Sequence, residues 1–118
     1  ELLTPEVSSI GLGAELLDRL LAQQPGIDAI FFNNDDLALG ALFRARQLQL
    51  AVPGRLAIAG FNDLPAAAWM HPALTTVRTI RGEIGTLAGQ MLLSLMRGET
   101  PAQRRIDVGF EVMMRESA

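Results

Sequence analysis

Two short clusters of amide and carboxylate side chains are the part of this sequence best suited to recognise a small molecule. Asn33–Asp36 and Asn62–Asp63 each follow an unbroken apolar run. Asparagine donates and accepts hydrogen bonds and aspartate accepts them, so this mixture suits the hydroxyl groups of a sugar or sugar acid. The alternative is that Asn34, Asp35 and Asp63 only cap helices, a role for which both residue types are strongly preferred.

Two arginines could add a positive charge to the same site. Arg78 and Arg81 come after a predicted strand and open the longest predicted helix. From there they would hold a carboxylate through charge-assisted hydrogen bonds. The alternative is that both are solvated arginines at a helix start.

Patterns for catalysis and metal binding are missing. All ten positive side chains are arginines and there is no cysteine, which excludes Schiff-base lysines, P-loops, disulfides and thiolate chemistry. The only histidine, His71, precedes a proline and is interpreted as a loop residue rather than part of a Ser-His-Asp relay. The acidic residues of Asn33–Asp36 lack the spacing and the glycine of a calcium loop. We therefore predict no catalytic residue, no metal site and no cofactor.

The elements that must position these clusters alternate between apolar strands and amphipathic helices. The predicted helices span about residues 9–23, 36–49 and 81–97, with a short one from Asp63 through Trp69. The predicted strands span residues 28–32, 56–61, 74–77 and 106–114, the last interrupted by Gly109. This alternation predicts an α/β fold with a parallel sheet flanked by helices. Both polar clusters then lie at the carboxyl ends of strands, where such sheets bind ligands.

Length, composition and charge limit the classes of function. The chain has 118 residues, of which 49% are hydrophobic and 19% charged, a balance typical of one globular domain. No apolar run reaches the roughly 18 residues of a membrane span, and no signal sequence is recognisable. The net charge of −3 predicts that these residues do not bind DNA by themselves, because DNA-binding surfaces are basic.

Several stretches in order resemble the LacI/GalR family of bacterial transcription regulators, whose effector domains are similar to periplasmic sugar-binding proteins. They are Asp28–Phe31 leading into Asn34–Leu42, then Val52-Pro53, Ala57–Asp63, Pro72–Val77, and Arg115 followed by Ser117. The resemblance covers nearly the whole chain. It implies a partial periplasmic-binding-protein-like fold of type I, with residues 1–76 in the second lobe and residues 77–118 returning to the first.

The resemblance also implies which residues contact the effector. Asn34 matches the family's effector-contacting asparagine, and Asn62 stands where the family usually has an aspartate. Ser8 and Arg81 fall near further contact positions, and Asp63 completes the predicted set. An uncharged Asn62 repels an acidic effector less than aspartate would, and Ser8 removes an aromatic platform. A sugar acid is therefore the expected ligand, and the stretches Ser9-Ile10 and Asn33–Asp36 resemble gluconate-utilisation repressors within the family.

Further expectations come from the same resemblance. It implies a cytoplasmic homodimer with contacts at Leu39 and Met70, and binding to operator DNA through a helix-turn-helix domain that lies outside these residues. Without a first lobe, the long amphipathic helix would expose apolar surface, so we expect the isolated chain to self-associate.

Two other classes of function stay open from the sequence. A periplasmic-type sugar-binding receptor would use the same fold and cleft. An α/β enzyme would use Asp35 or Asp63 as an acidic catalytic residue, although the sequence suggests no second catalytic group.

Overall fold

The computed structural model describes residues 1–101 and 103–118 and shows the predicted alternation of strands and helices. The helices are α1 (Ile10–Gln23), α2 (Asp35–Gln47) and α3 (Arg81–Met96), and a 3₁₀ turn spans Pro65–Ala68. The strands are β1 (Ala29–Phe31), β2 (Ala57–Phe61), β3 (Thr75–Thr79) and β4 (Phe110–Met113). The predicted α/β class is confirmed.

The strands form one sheet in the order β1-β2-β3-β4. β1 pairs with β2 and β2 with β3 in parallel, with Phe31 opposite Ala59 and Phe61 opposite Val77. The carboxyl ends of β1 and β2 are therefore neighbours at one edge of the sheet, and each is followed by one of the two polar clusters.

Local structure differs from the sequence-based expectation in three places. The last strand begins only after Gly109, whose φ is +73°, so residues 106–108 are not strand. The short helix is a 3₁₀ turn whose N-cap is Leu64, without a side-chain cap, so Asp63 does not cap it. Phe31 is 60% exposed, because the face of β1 that carries Ala29 and Phe31 is open. An unbroken apolar run is typical of a strand covered on both faces, and β1 is covered on one face only.

The described residues divide into two compact units. Unit 1 comprises residues 1–78 and 112–118, and unit 2 comprises residues 79–111. The predicted assignment of residues 1–76 and 77–118 to two lobes stays a prediction.

Unit 1 contains the hydrophobic core, built between α1, α2 and the sheet. Leu17, Leu56, Ile58 and Leu74 have no exposed surface. α1 and α2 approach closely because Gly13 and Gly40 carry no side chain at their contact. A Cβ at Gly40 would overlap the carbonyl oxygen of Ile10 on α1.

The C-terminal residues of unit 1 are anchored between β2 and β3. Ser117 is fully buried, and its hydroxyl donates to the Ile58 carbonyl oxygen at 2.6 Å and accepts from the Thr75 amide at 2.8 Å. The Ile58 amide donates to the Ser117 carbonyl oxygen at 2.7 Å. The C-terminal segment is thus held in place directly beside the start of β3.

Unit 2 consists mainly of α3. None of the residues Arg81–Met96 is buried, and the apolar surface predicted for this helix is largely exposed, with Leu92 at 58% and Leu95 at 56%. Among the described residues, no helix combines the length and apolarity that crossing a membrane requires.

Candidate functional site

Asn34 connects the end of β1 to the start of α2, and its side-chain amide bonds in two directions. Its Oδ1 accepts from the Leu37 amide at 3.0 Å, which caps α2. Its Nδ2 donates to the Ser8 hydroxyl at 2.8 Å, 26 positions earlier in the chain. The cap fixes the orientation of the amide, and Ser8 stands within hydrogen-bond distance of its donor. Two predicted contact residues therefore lie side by side.

Asp35 is a buried part of the site rather than a helix cap. It is fully buried, and its Oδ1 accepts from the Thr76 hydroxyl at 2.6 Å. Its Oδ2 accepts from the Leu64 amide at 2.6 Å. Burial of a carboxylate is tolerated when both oxygens are hydrogen-bonded in this way. Asp35 thereby joins the polar cluster after β1 to Leu64, the residue that follows the cluster after β2.

Asn62 and Asp63 form a turn with unusual backbone geometry. Asn62 has φ of 111° and Asp63 has φ of 50°, in the region that side chains other than glycine seldom adopt. The Asn62 amide donates to the Val77 carbonyl oxygen at 2.8 Å. The Asp63 amide donates to the Thr76 hydroxyl at 3.4 Å. The turn is held against β3, at the same edge of the sheet as Asn34.

The carboxylate of Asp63 is bound by two arginines. Its Oδ2 accepts from Arg78 Nε at 2.7 Å and its Oδ1 accepts from Arg115 at 2.7 Å. The Asp63 side chain is only 9% exposed. Burial acts to raise the pKa of Asp63, but hydrogen bonds and charge from Arg115 and Arg78 outweigh it and hold that pKa below its ordinary value.

This lowered pKa predicts a pH-dependent contribution to stability. The contribution of Asp63 should be fully present above its ordinary pKa of 3.8 and be lost as pH falls through the lower pKa of the folded state. At pH 6 we expect Asp63→Asn to lower the free energy of unfolding by about 1–3 kcal/mol. Urea denaturation between pH 6 and pH 3 should show this difference shrinking below pH 4. A difference that stays constant with pH would contradict the ionic role of Asp63.

The remaining predicted site residues lie elsewhere in the chain. Arg81 is the first residue of α3 in unit 2 and is exposed. Leu39 is 3% exposed within the core of unit 1, and Met70 packs partly buried against that core.

One cavity of about 640 Å³ lies within unit 1, between the N-terminal stretch, α1 and β1. Ser8 and Asn33 contribute to its lining together with Gln24 and Ile27, but neither Asn62 nor Asp63 does. The convergence of hydrogen-bonding side chains, rather than this cavity, defines the candidate site.

Sequence reasoning placed Arg115 only among the residues that carry a family resemblance, and it did not identify Thr76 or the burial of Asp35. Arg115 lies 52 positions from Asp63, and Thr76 lies 41 positions from Asp35. No local pattern signals pairs so distant. The sequence did contain one hint of a buried aspartate. Two acidic residues, Asp35 and Asp36, follow the capping residue Asn34, and capping of the helix requires neither of these two aspartates.

Comparison with known proteins identifies the family. Residues 3–118 match the model of the periplasmic binding protein-like domain, and the chain belongs to that family. The HTH-type transcriptional regulator GntR of Pseudomonas aeruginosa is 48% identical over 117 residues, which are 99% of this chain and 34% of that protein. The predicted resemblance to LacI/GalR regulators is confirmed.

Solved structures show the same fold. The transcription regulator GntR from Chromobacterium violaceum superimposes with a TM-score of 0.93 at 58% identity, covering 99% of this chain and 43% of that one. The transcriptional regulator CelR, in complex with cellobiose, gives a TM-score of 0.87 at 28% identity, covering 93% of this chain and 34% of that one. The chain spans about one third of the length of the curated relatives that it matches.

Proposed function

We propose that this chain is the effector-binding and dimerisation portion of a LacI-family transcriptional repressor that senses a sugar acid such as gluconate. The observation that carries the proposal is the convergence of Asn34, Ser8 and the Asn62 turn at the carboxyl ends of β1 and β2. The hydrogen bond from the Leu64 amide to Asp35 holds these two strand ends together. Ligands of open parallel sheets bind at this edge.

The chemistry of the site supports a polyhydroxylated, acidic ligand. Asn34 and Asn62 supply neutral donors and acceptors for hydroxyl groups. The nearby carboxylate of Asp63 is compensated by Arg78 and Arg115, so it opposes an incoming carboxylate less than an unpaired aspartate would. A contact of Arg81 with the acid group stays a prediction from the sequence, because Arg81 belongs to unit 2 and the residues described above belong to unit 1. A structural neighbour in complex with cellobiose supports carbohydrate as the ligand class.

The position of Asn62 gives a sharp prediction about specificity. Asn62→Asp restores a negative charge, which should weaken binding of gluconate at least about tenfold through repulsion between like charges. The same substitution should leave binding of glucose, which has no carboxylate, unchanged or stronger. Isothermal titration of the intact natural protein with both ligands measures the two effects, and glucose is the matched control.

Two results would overturn the proposal. If the unchanged protein binds glucose but not gluconate, the sugar-acid assignment fails. If Asn34→Ala, in a protein that still folds by circular dichroism, binds gluconate as well as the unchanged protein does, the site has been placed wrongly. Release of operator DNA on addition of gluconate would establish that the intact protein is a repressor.

Dimerisation, DNA binding and a cytoplasmic location belong to the same proposal. Met70, partly exposed, would provide side-chain contact with a second copy. Leu39 is buried and would contribute by shaping the surface of α2. DNA contact would require a helix-turn-helix domain, because the net charge of this chain is −3.

The second candidate is a periplasmic-type sugar receptor, which the description of the matched family favours. The relatives compared above are transcription regulators, which supports the repressor instead and also argues against an enzyme using Asp35 or Asp63. Gluconate-dependent release of operator DNA distinguishes the repressor from a receptor, since a receptor binds no operator.

A further inference from the structure

We propose that Arg115 is a positioning residue for the effector site: it holds Asp63 and thereby keeps the Asn62–Asp63 turn in the conformation that presents Asn62. The local effect on the turn stands on the structure of unit 1 alone. The consequence for ligand affinity rests on the proposed function.

The guanidinium of Arg115 contacts two separate parts of unit 1. One terminal nitrogen donates to the Leu74 carbonyl oxygen at 2.8 Å and the other to Asp63 Oδ1 at 2.7 Å. Its backbone amide donates to the Thr75 hydroxyl at 2.9 Å. A single planar guanidinium thus spans the backbone before β3 and the Asn62–Asp63 turn, and a planar fork of donors loses little freedom when it bonds twice.

The Asn62–Asp63 turn needs restraint from the residues around it. Asn62 and Asp63 both have positive φ, a backbone conformation that costs free energy in residues other than glycine and persists only where surrounding contacts impose it. Their amides are held by Val77 and Thr76. The 3.4 Å hydrogen bond from the Asp63 amide is long, so the side-chain contacts of Asp63 supply much of the restraint.

The two arginines that bind Asp63 differ in exposure. Arg115 is 16% exposed, whereas Arg78 is 44% exposed. Water competes more effectively for an exposed ion pair, which is therefore the weaker restraint. The backbone of Arg115 is also fixed, because Ser117, two residues later, is buried between β2 and β3. The C-terminal segment therefore sets the position of Asp63 more firmly than Arg78 does.

The local effect can be measured without any ligand. In the intact natural protein, Arg115→Met should increase hydrogen exchange at least tenfold in peptides covering the amides of Asn62, Asp63 and Leu64. Peptides from the middle of α2 should be accelerated less than the turn peptides. Arg19→Met, an exposed arginine on α1, is the matched control and should change neither. Equal acceleration in both regions, or none in the turn, would overturn the positioning role.

The effect on the ligand is measured by a double-mutant cycle with gluconate. Arg115→Met should raise the Kd at least tenfold, and adding Asn62→Ala should raise it little further, because Arg115 acts through Asn62. Adding Ser8→Ala should raise it by the full effect of that single change. Independent effects of Arg115 and Asn62 would overturn the proposal.

A conservative variant separates positioning from general stability. Arg115→Lys keeps the charge and can contact Asp63, but cannot bond twice in the same plane. It should give intermediate exchange in the turn and an intermediate Kd, and it serves in place of Arg115→Met if that variant does not fold. Values equal to those of the unchanged protein would contradict the need for the double contact. Failure of the unchanged protein to bind gluconate would refute the proposed ligand, while the exchange experiment would still decide the role of Arg115.

Discussion

Replacing Asp35 by asparagine is expected to lower the free energy of unfolding of unit 1 by about 3 kcal/mol. The carboxylate accepts two hydrogen bonds of 2.6 Å, from Thr76 and from the Leu64 amide, and is fully buried. An amide of the same shape offers only one accepting oxygen. If that oxygen accepts from Leu64, the amide nitrogen faces Thr76, whose hydroxyl then loses its buried acceptor.

The neighbouring aspartate provides the matched control. Asp36 also lies in the first turn of α2 but is partly exposed, so Asp36→Asn removes the same charge from the positive end of the helix. That effect alone is worth about 0.3–1 kcal/mol. Urea denaturation followed by far-ultraviolet circular dichroism measures both variants. Equal losses would show that the charge near the helix, and not the buried hydrogen bonds, accounts for the effect.

A consequence for the site follows from the same substitution. Because Asp35 joins the polar cluster after β1 to Leu64, the residue that follows the cluster after β2, a folded Asp35→Asn protein should also bind ligand more weakly. Stability and ligand affinity should then fall together at Asp35.

The order and type of the elements could be predicted because they depend on local signals. Apolar runs bounded by glycine, proline and asparagine indicate strands, and spaced apolar residues with a capping side chain indicate helices. Asn34 illustrates this: its side chain caps α2, one of the capping roles that the sequence offered for this cluster. The parallel sheet and the convergence of the two polar clusters follow from that order.

The hydrogen-bond network of the site could not be predicted, because it depends on contacts between residues far apart in sequence. Whether Asp35 or Asp36 turns inward is decided by Thr76 and Leu64, and neither lies near them in the chain. The positive φ of Asn62 likewise depends on tertiary contacts. The exposure of Phe31 was missed because an apolar run does not show which of its faces a neighbour covers.

The close packing of α1 on α2 makes the stability of the chain sensitive to substitution of Gly40. Gly40→Ala is expected to lower the free energy of unfolding by about 3 kcal/mol, at the upper end for overpacking. The added methyl would overlap the carbonyl oxygen of Ile10 and approach the Ala14 amide. Both obstacles are backbone atoms inside α1, so no side chain can rotate away. The helices must separate instead, which opens voids in the core that α1 and α2 share.

A second glycine, Gly11 on α1, separates this steric effect from helix propensity. A Cβ there meets nothing closer than the Ser9 hydroxyl at 3.9 Å, so Gly11→Ala should stabilise the chain by up to about 1 kcal/mol, as alanine does in open helix positions. The two variants make the same chemical change in a helix and should shift the thermal midpoint in opposite directions. If Gly40→Ala were neutral or stabilising, the helices could separate at no cost in free energy. The close contact at Gly40 would then not explain why the starts of α1 and α2 are fixed with Ser8 beside Asn34.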